Sequence, residues 1–157
     1  MKINIRPFKP SDLKGVMKVE KASFPSPWEE KDFQRAMKDH KNVGMVAEVQ
    51  DEIVGYLIYR LEKDECTITS IAVLPQLRRK GIGKALFNKL LLMSSKPHRS
   101  IELTASDANL EAHLFFKHLN FKATAVLHNF YDSGDGYCFV YQGELPAIHR
   151  KKEKVLV

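Results

Sequence analysis

The chain has 157 residues, 44% of them hydrophobic and 28% charged, with a formal net charge of +6 and a pI near 9.3. That length suits one domain burying about two thirds of its unfolded surface. No run reaches the roughly 18 apolar residues of a membrane span, and the first seven residues lack the apolar core of a signal peptide, so a cytoplasmic protein is expected.

Residues 2 to 6 read as a strand, Ile3 and Ile5 alternating with polar neighbours. Ser11-Asp12 offers an N-cap, and Leu13, Val16, Met17 and Glu20 follow at helical spacing, which predicts a helix over residues 11 to 23. Phe24-Pro25-Ser26-Pro27-Trp28 breaks it, because two prolines constrain the backbone. A second helix starts near Glu29 with Phe33, Ala36 and Met37 on its apolar face. Residues 42 to 50 and 53 to 61 read as a hairpin turning at Gln50-Asp51-Glu52, and residues 66 to 74 as a third strand of the meander.

The helix from Ile82 carries Ile82, Ala85, Leu86, Leu90 and Met93 on one face and stops at Pro97. Residues 99 to 104 form a strand with Ile101 and Leu103 on one face and Glu102 and Thr104 on the other. Asp107 can cap the next helix, whose stripe is Ala112, Phe115, Phe116 and Leu119. Residues 121 to 130 and 137 to 142 are closing strands joined by Asp132-Ser133-Gly134-Asp135-Gly136. The order β-α-α-β-β-β-α-β-α-β-β predicts a mixed α/β fold with helices on both faces of one central sheet. Residues 1 to 144 are expected as one domain, and residues 145 to 157 as a basic, flexible tail.

Cys66 and Cys138 lie in apolar strand-like runs and are expected to be buried, reduced thiols. Histidines 40, 98, 113, 118, 128 and 149 never adopt a metal-ligand spacing, so no metal is expected.

Arg78-Arg79-Lys80-Gly81-Ile82-Gly83 is the most informative segment. It joins an apolar strand to an apolar-periodic helix, and residues 66 to 101 hold seven Lys/Arg and no Asp/Glu. A helix opening has free N–H groups and partial positive charge, which attract phosphate oxygens. Glycines at 81 and 83 clear side chains from that backbone. The spacing is neither Gly-x-x-x-x-Gly-Lys-Ser/Thr nor Gly-x-Gly-x-x-Gly, since position 86 is Leu. Taken alone, a basic run is more often a solvated face.

The segment resembles the Arg/Gln-x-x-Gly-x-Gly/Ala signature of the GCN5-related N-acetyltransferases, with Arg78, Gly81 and Gly83 matching. Ser70-Ile71-Ala72-Val73 before Pro75 resembles that family's central strand. Asn109, Ala112 and Leu119-Asn120-Phe121 resemble its late helix. Phe24-Pro25-x-Pro27-Trp28, Glu102 and Asn129-Phe130-Tyr131 are most similar to the bacterial ribosomal-protein N-terminal (RimI-type) acetyltransferases. The likeness runs over residues 3 to 143.

The resemblance implies acetyl-CoA as cosubstrate, held by Ile71, Ala72, Val73, Arg78, Arg79, Lys80, Gly81, Ile82, Gly83 and Lys84, with Asn109 and Phe116 beside it. It implies oxyanion stabilisation by main-chain N–H groups of residues 71 to 73 and Glu102 as the base that takes the amine proton. A plain solvent-facing carboxylate is the alternative for Glu102. The family's helix usually carries a tyrosine that protonates the departing thiolate, but Phe116 stands there. Either the thiol, with a pKa of about 8.5, leaves unaided, or Tyr131 or another nearby tyrosine supplies the proton. Two extra residues separate Glu102 from Asn109. Phe24, Trp28, Glu102 and Tyr131 are expected to meet the acceptor, although Phe24 could simply staple the first helix and Trp28 cap the second.

The implied acceptor is a protein N-terminal amine, such as that of a ribosomal protein. The alternatives are a small amine, or no catalysis at all in an acyl-CoA-binding or RNA-docking module. A monomer or weak dimer, with no stable nucleic-acid or membrane partner, is expected.

Overall fold

The structure, a computed structural model, describes residues 1–94 and 96–144. The tail expected at residues 145 to 157 lies outside the described residues. The elements follow as β1 (Asn4–Pro7), α1 (Leu13–Ser23), α2 (Glu30–Lys38), β2 (Asn42–Val49), β3 (Glu52–Leu61), β4 (Glu65–Val73), α3 (Ile82–Ser94), β5 (Ser100–Ser106), α4 (Leu110–His118), β6 (Phe121–Tyr131) and β7 (Gly134–Tyr141). This is the order read from periodicity. The strands form a 7-stranded sheet in the order β1-β2-β3-β4-β5-β7-β6. β4 and β5 run parallel, while β1–β2, β2–β3, β5–β7 and β6–β7 are antiparallel. The described residues divide into two compact units, one of Met1–Leu61 with Ile68–Met93 and one of Glu62–Thr67 with the described residues between Ser94 and Glu144.

In the first unit the β2–β3 hairpin turns on Gln50 and Asp51, whose φ values of 52° and 64° give the doubly left-handed turn that matches strand twist. Glu52 already pairs with Val49, so it belongs to the strand rather than to the turn. Val46, Ala47, Tyr56, Leu57 and Ile58 are fully buried. Helices cover both faces of this part of the sheet. Phe33 of α2 meets Tyr56 edge-on at 5.7 Å on one face. On the other, a Cβ at Gly55 would sit 3.4 Å from Ile82 of α3. Full burial of Phe33 contributes about 1.5–3 kcal/mol.

Two local expectations change here. Residues Pro10–Asp12 form a 3-10 turn before α1. Asp12 does not cap α1, because Arg6 takes both of its oxygens at 2.7 Å and the Lys9 N–H takes one at 2.8 Å. On α3 the buried face is Ile82, Leu86, Phe87 and Leu90; Met93, in the last turn, is 64% exposed.

In the second unit β5 alternates as expected, with Ile101, Leu103 and Ala105 buried and Glu102 and Thr104 half-buried. α4 packs Phe116 against Phe121 and Phe139, with ring centroids 5.3 and 6.4 Å apart. Its cap is Asn109, not Asp107: Asn109 Oδ1 accepts the Ala112 N–H at 3.1 Å. The Asp107 carboxylate lies against Gly134 instead, 2.9 Å from where a Cβ would be. Tyr131 pairs with Gly134, so the β6–β7 turn is Asp132-Ser133, tighter than the residues 132 to 136 expected.

Candidate functional site

The first unit holds the glycine-bearing segment. β4 ends at Val73, Pro75–Leu77 make a 3-10 turn, and α3 opens at Ile82. Arg78 Nε donates to the Val73 carbonyl at 2.9 Å, folding the turn back onto the strand that leads into it. Arg79 and Gly81 both have positive φ, at 63° and 89°. The first helical bond runs from the Ala85 N–H to the Gly81 carbonyl at 3.0 Å. The N–H groups of residues 81 to 84 therefore have no partner within the helix. A Cβ placed on Gly81 would meet nothing within 4 Å. Open space lies over a helix opening whose Arg79, Lys80 and Lys84 side chains are exposed. Amides, cations and room fit a diphosphate ester. Ala72 and Val73 are buried and Ile71 is half-buried.

The same unit buries a polar cluster. Glu20 of α1 is 4% exposed. One of its carboxyl oxygens accepts the Tyr56 hydroxyl, and the other accepts the Trp28 main-chain N–H at 2.9 Å. The Tyr56 hydroxyl also meets Ser70 Oγ of β4 at 2.6 Å. Burial foremost, with Glu20 beside it, raises the Tyr56 pKa well above the phenol range, so the hydroxyl stays protonated. Phe24 is the C-cap of α1 and is half-buried. Trp28 stacks edge-on against Phe33 at 5.1 Å. It does not cap α2; Glu29 stands at that position, its N–H bound to Asp32 at 2.9 Å.

In the second unit Glu102 of β5 pairs with Thr67 in the parallel β4–β5 ladder. It shares a hydrogen bond with Glu65, and that bond, burial and the Glu65 charge together raise its pKa. Ser100 Oγ, 3.4 Å from Glu102 Oε2, opposes the rise. A carboxylate whose pKa is raised is a stronger base and better suited to proton abstraction. Two residues along the same face is Thr104, whose carbonyl accepts the Tyr131 hydroxyl at 3.2 Å. Burial raises the Tyr131 pKa, which keeps it a neutral donor. Phe116 is 3% exposed and packs on the Phe139 side, and Phe139 pairs with Leu103. Phe116 thus lies on the face of β5 opposite Glu102, and the Asn109 carboxamide oxygen is occupied as a cap. Cys66 is buried and its thiol is pushed up to about 12, while Cys138 is half-buried; both are free.

Glu20 and Glu65 are not among the site residues expected from the sequence, which puts Glu20 only on the stripe of the first helix. A carboxylate inside the apolar stripe of α1 was a usable signal for Glu20. Glu65 offered none, because its pairing with Glu102 exists only in the parallel register of two distant strands.

Comparison with known proteins agrees with this geometry. The model of the acetyltransferase (GNAT) family matches residues 13–121. An N-alpha-acetyltransferase of Sulfurisphaera tokodaii is 30% identical over 145 residues, spanning 83% of this chain and 87% of that protein. The [ribosomal protein bS18]-alanine N-acetyltransferase of Escherichia coli K12 is 24% identical over 127 residues, spanning 80% and 85%. Arabidopsis thaliana NAA60, crystallised in complex with acetyl-CoA, superposes with a TM-score of 0.76 at 25% identity over 89% of this chain and 98% of that one. The chain belongs to the acetyltransferase (GNAT) family and is an N-acetyltransferase.

Proposed function

We propose that this protein moves the acetyl group of acetyl-CoA onto the N-terminal α-amine of a protein, with a ribosomal protein as the acceptor class. The observation that carries the reading is the opening of α3, where amides without a partner inside the helix, exposed Arg79, Lys80 and Lys84, and open space over Gly81 occur together. Acetyl-CoA is the donor, and residues 78 to 84 hold its diphosphate. The names of the Sulfurisphaera and Escherichia relatives support the α-amine as acceptor.

The chemistry needs a neutral amine, a stabilised oxyanion and a leaving thiolate. An α-amine has a pKa near 8, so a base with a raised carboxyl pKa needs to take only one proton as the amine attacks. Glu102 fills that role, with its pKa raised by Glu65 and burial. The main-chain amides of Ile71, Ala72 and Val73 meet the oxyanion. The tetrahedral adduct collapses by breaking the carbon–sulfur bond, and the thiolate takes a proton from Tyr131 or from water. Phe24 and Trp28 wall the acceptor, offering large apolar area at low entropy cost. Asn109 and Phe116 carry no step; they cap and fill the second unit.

The test is thiol release from acetyl-CoA with a panel of peptides that differ in their first residue, run beside polyamines. Turnover on peptides with a free α-amine, lost when that amine is blocked, is expected. Turnover confined to polyamines, or coenzyme binding without any turnover, refutes the reading. N-terminal proteomics of cells with and without this chain then identifies the acceptor, and an unchanged set of ribosomal-protein N-termini refutes that class.

A further inference from the structure

The segment between α1 and α2 holds two prolines and lies outside regular secondary structure, and it leads into Trp28, one of the residues proposed to wall the acceptor. One buried side chain reaches it. Glu20 accepts the Trp28 main-chain N–H through one carboxyl oxygen and the Tyr56 hydroxyl through the other. Tyr56 meets Ser70 Oγ at 2.6 Å, one residue before the run proposed to meet the oxyanion. Trp28, α1, β3 and β4 are thereby joined by a single chain of hydrogen bonds. Burying a carboxyl in an apolar helix stripe is costly unless its oxygens are satisfied. The Trp28 N–H and the Tyr56 hydroxyl satisfy one oxygen each, and these two donors justify its place.

We propose that Glu20 is a positioning residue that fixes Trp28, and with it residues 24 to 28, for the acceptor. This rests on the reading that Phe24 and Trp28 wall the acceptor pocket. Glu20 takes no part in proton transfer, since both of its oxygens are already engaged as acceptors.

The donor inventory separates a positioning role from a chemical one. In Glu20→Gln the carboxamide oxygen accepts from Trp28 and the amide group donates to the Tyr56 oxygen, whose own proton turns to Ser70. The Trp28 N–H and the Tyr56 hydroxyl both keep a partner. In Glu20→Leu the Trp28 N–H has no partner. Trp28 is the one tryptophan of the chain, so its fluorescence reports this segment without interference.

The experiment measures acrylamide quenching of Trp28 in the wild type and both variants, and kinetics with acetyl-CoA and the best peptide of the panel. Glu20→Leu is expected to raise the peptide KM about five- to thirtyfold, the equivalent of one lost positioning bond. Its kcat and acetyl-CoA KM should change less, and its quenching should increase. Glu20→Gln is expected to restore both readings to within about twofold of wild type. An unchanged peptide KM and quenching in folded Glu20→Leu overturns the proposal. So does a Glu20→Gln variant as impaired as Glu20→Leu, which would make the charge essential. Should Glu20→Leu fail to fold, Glu20→Asp, one methylene too short to reach both donors, is read in the same way. A wild type without turnover on any peptide refutes the proposed function. The quenching comparison alone then decides whether Glu20 holds Trp28.

Discussion

Replacing Gly81 by alanine separates the demands of the fold from those of the coenzyme. The added methyl meets no atom within 4 Å, so there is no steric term within the protein. What remains is conformational: φ is 89°, and a side chain held in left-handed backbone costs about 1–2 kcal/mol. For a domain of this length each kcal/mol moves the melting midpoint by roughly 2–4 °C, so the free variant should melt about 2–8 °C below wild type. The same methyl fills the space proposed for the diphosphate. Loss of one charge-assisted hydrogen bond is worth about 1.5–3 kcal/mol, so acetyl-CoA affinity should fall about 10- to 150-fold. At a concentration of 100 times the wild-type Kd, the coenzyme stabilises wild type by about 2.7 kcal/mol, whereas a tenfold weaker variant gains only about 1.4 kcal/mol. Calorimetry and thermal melts with and without acetyl-CoA read both quantities. Wild-type affinity in a variant that melts a few degrees lower would refute the loop assignment. A drop beyond about 15 °C would refute the claim that the space over Gly81 is open.

Other outcomes follow from the second unit and from β1. Glu65→Gln removes a hydrogen-bonding, like-charged neighbour of Glu102, so the acid limb of the kcat/KM profile should move to lower pH; an unmoved limb would exclude this pair from the rate-controlling ionisation. Glu102→Gln should lower kcat about 100-fold or more with little change in acetyl-CoA KM, read by initial rates. Arg6, chiefly by its hydrogen bonds, holds the Asp12 pKa below its unfolded value. Asp12 therefore contributes stability above roughly pH 4 that is lost as pH falls through the lowered folded value, and urea melts of Asp12→Asn against wild type should converge at low pH. Phe116→Ala should cost about 3–5 kcal/mol by urea titration, because the ring is 3% exposed among other rings.

Local features of the chain were read correctly where neighbouring residues decide them. The alternation of Ile101 and Leu103 against Glu102 and Thr104 depends only on strand pleat, and it is present. Two prolines end α1 by their own backbone restriction. Errors arose where a side chain had a nearer claim elsewhere. Asp12 looked like a cap but is taken by Arg6, which β1 brings alongside it. Asp107 yielded its cap to Asn109 because α4 begins later than its pattern suggested.

The sequence by itself determined the succession of strands and helices and the glycine-bearing opening of α3, because period, proline, glycine and charge act within a few residues. Only the tertiary structure decided which ionisable groups are joined. Glu20 meets a hydroxyl 36 residues away, and Glu102 meets Glu65 through a parallel register between distant strands. Hydrogen bonds and charge coupling act over a few ångströms in space, and separation along the chain carries no information about which groups will lie that close.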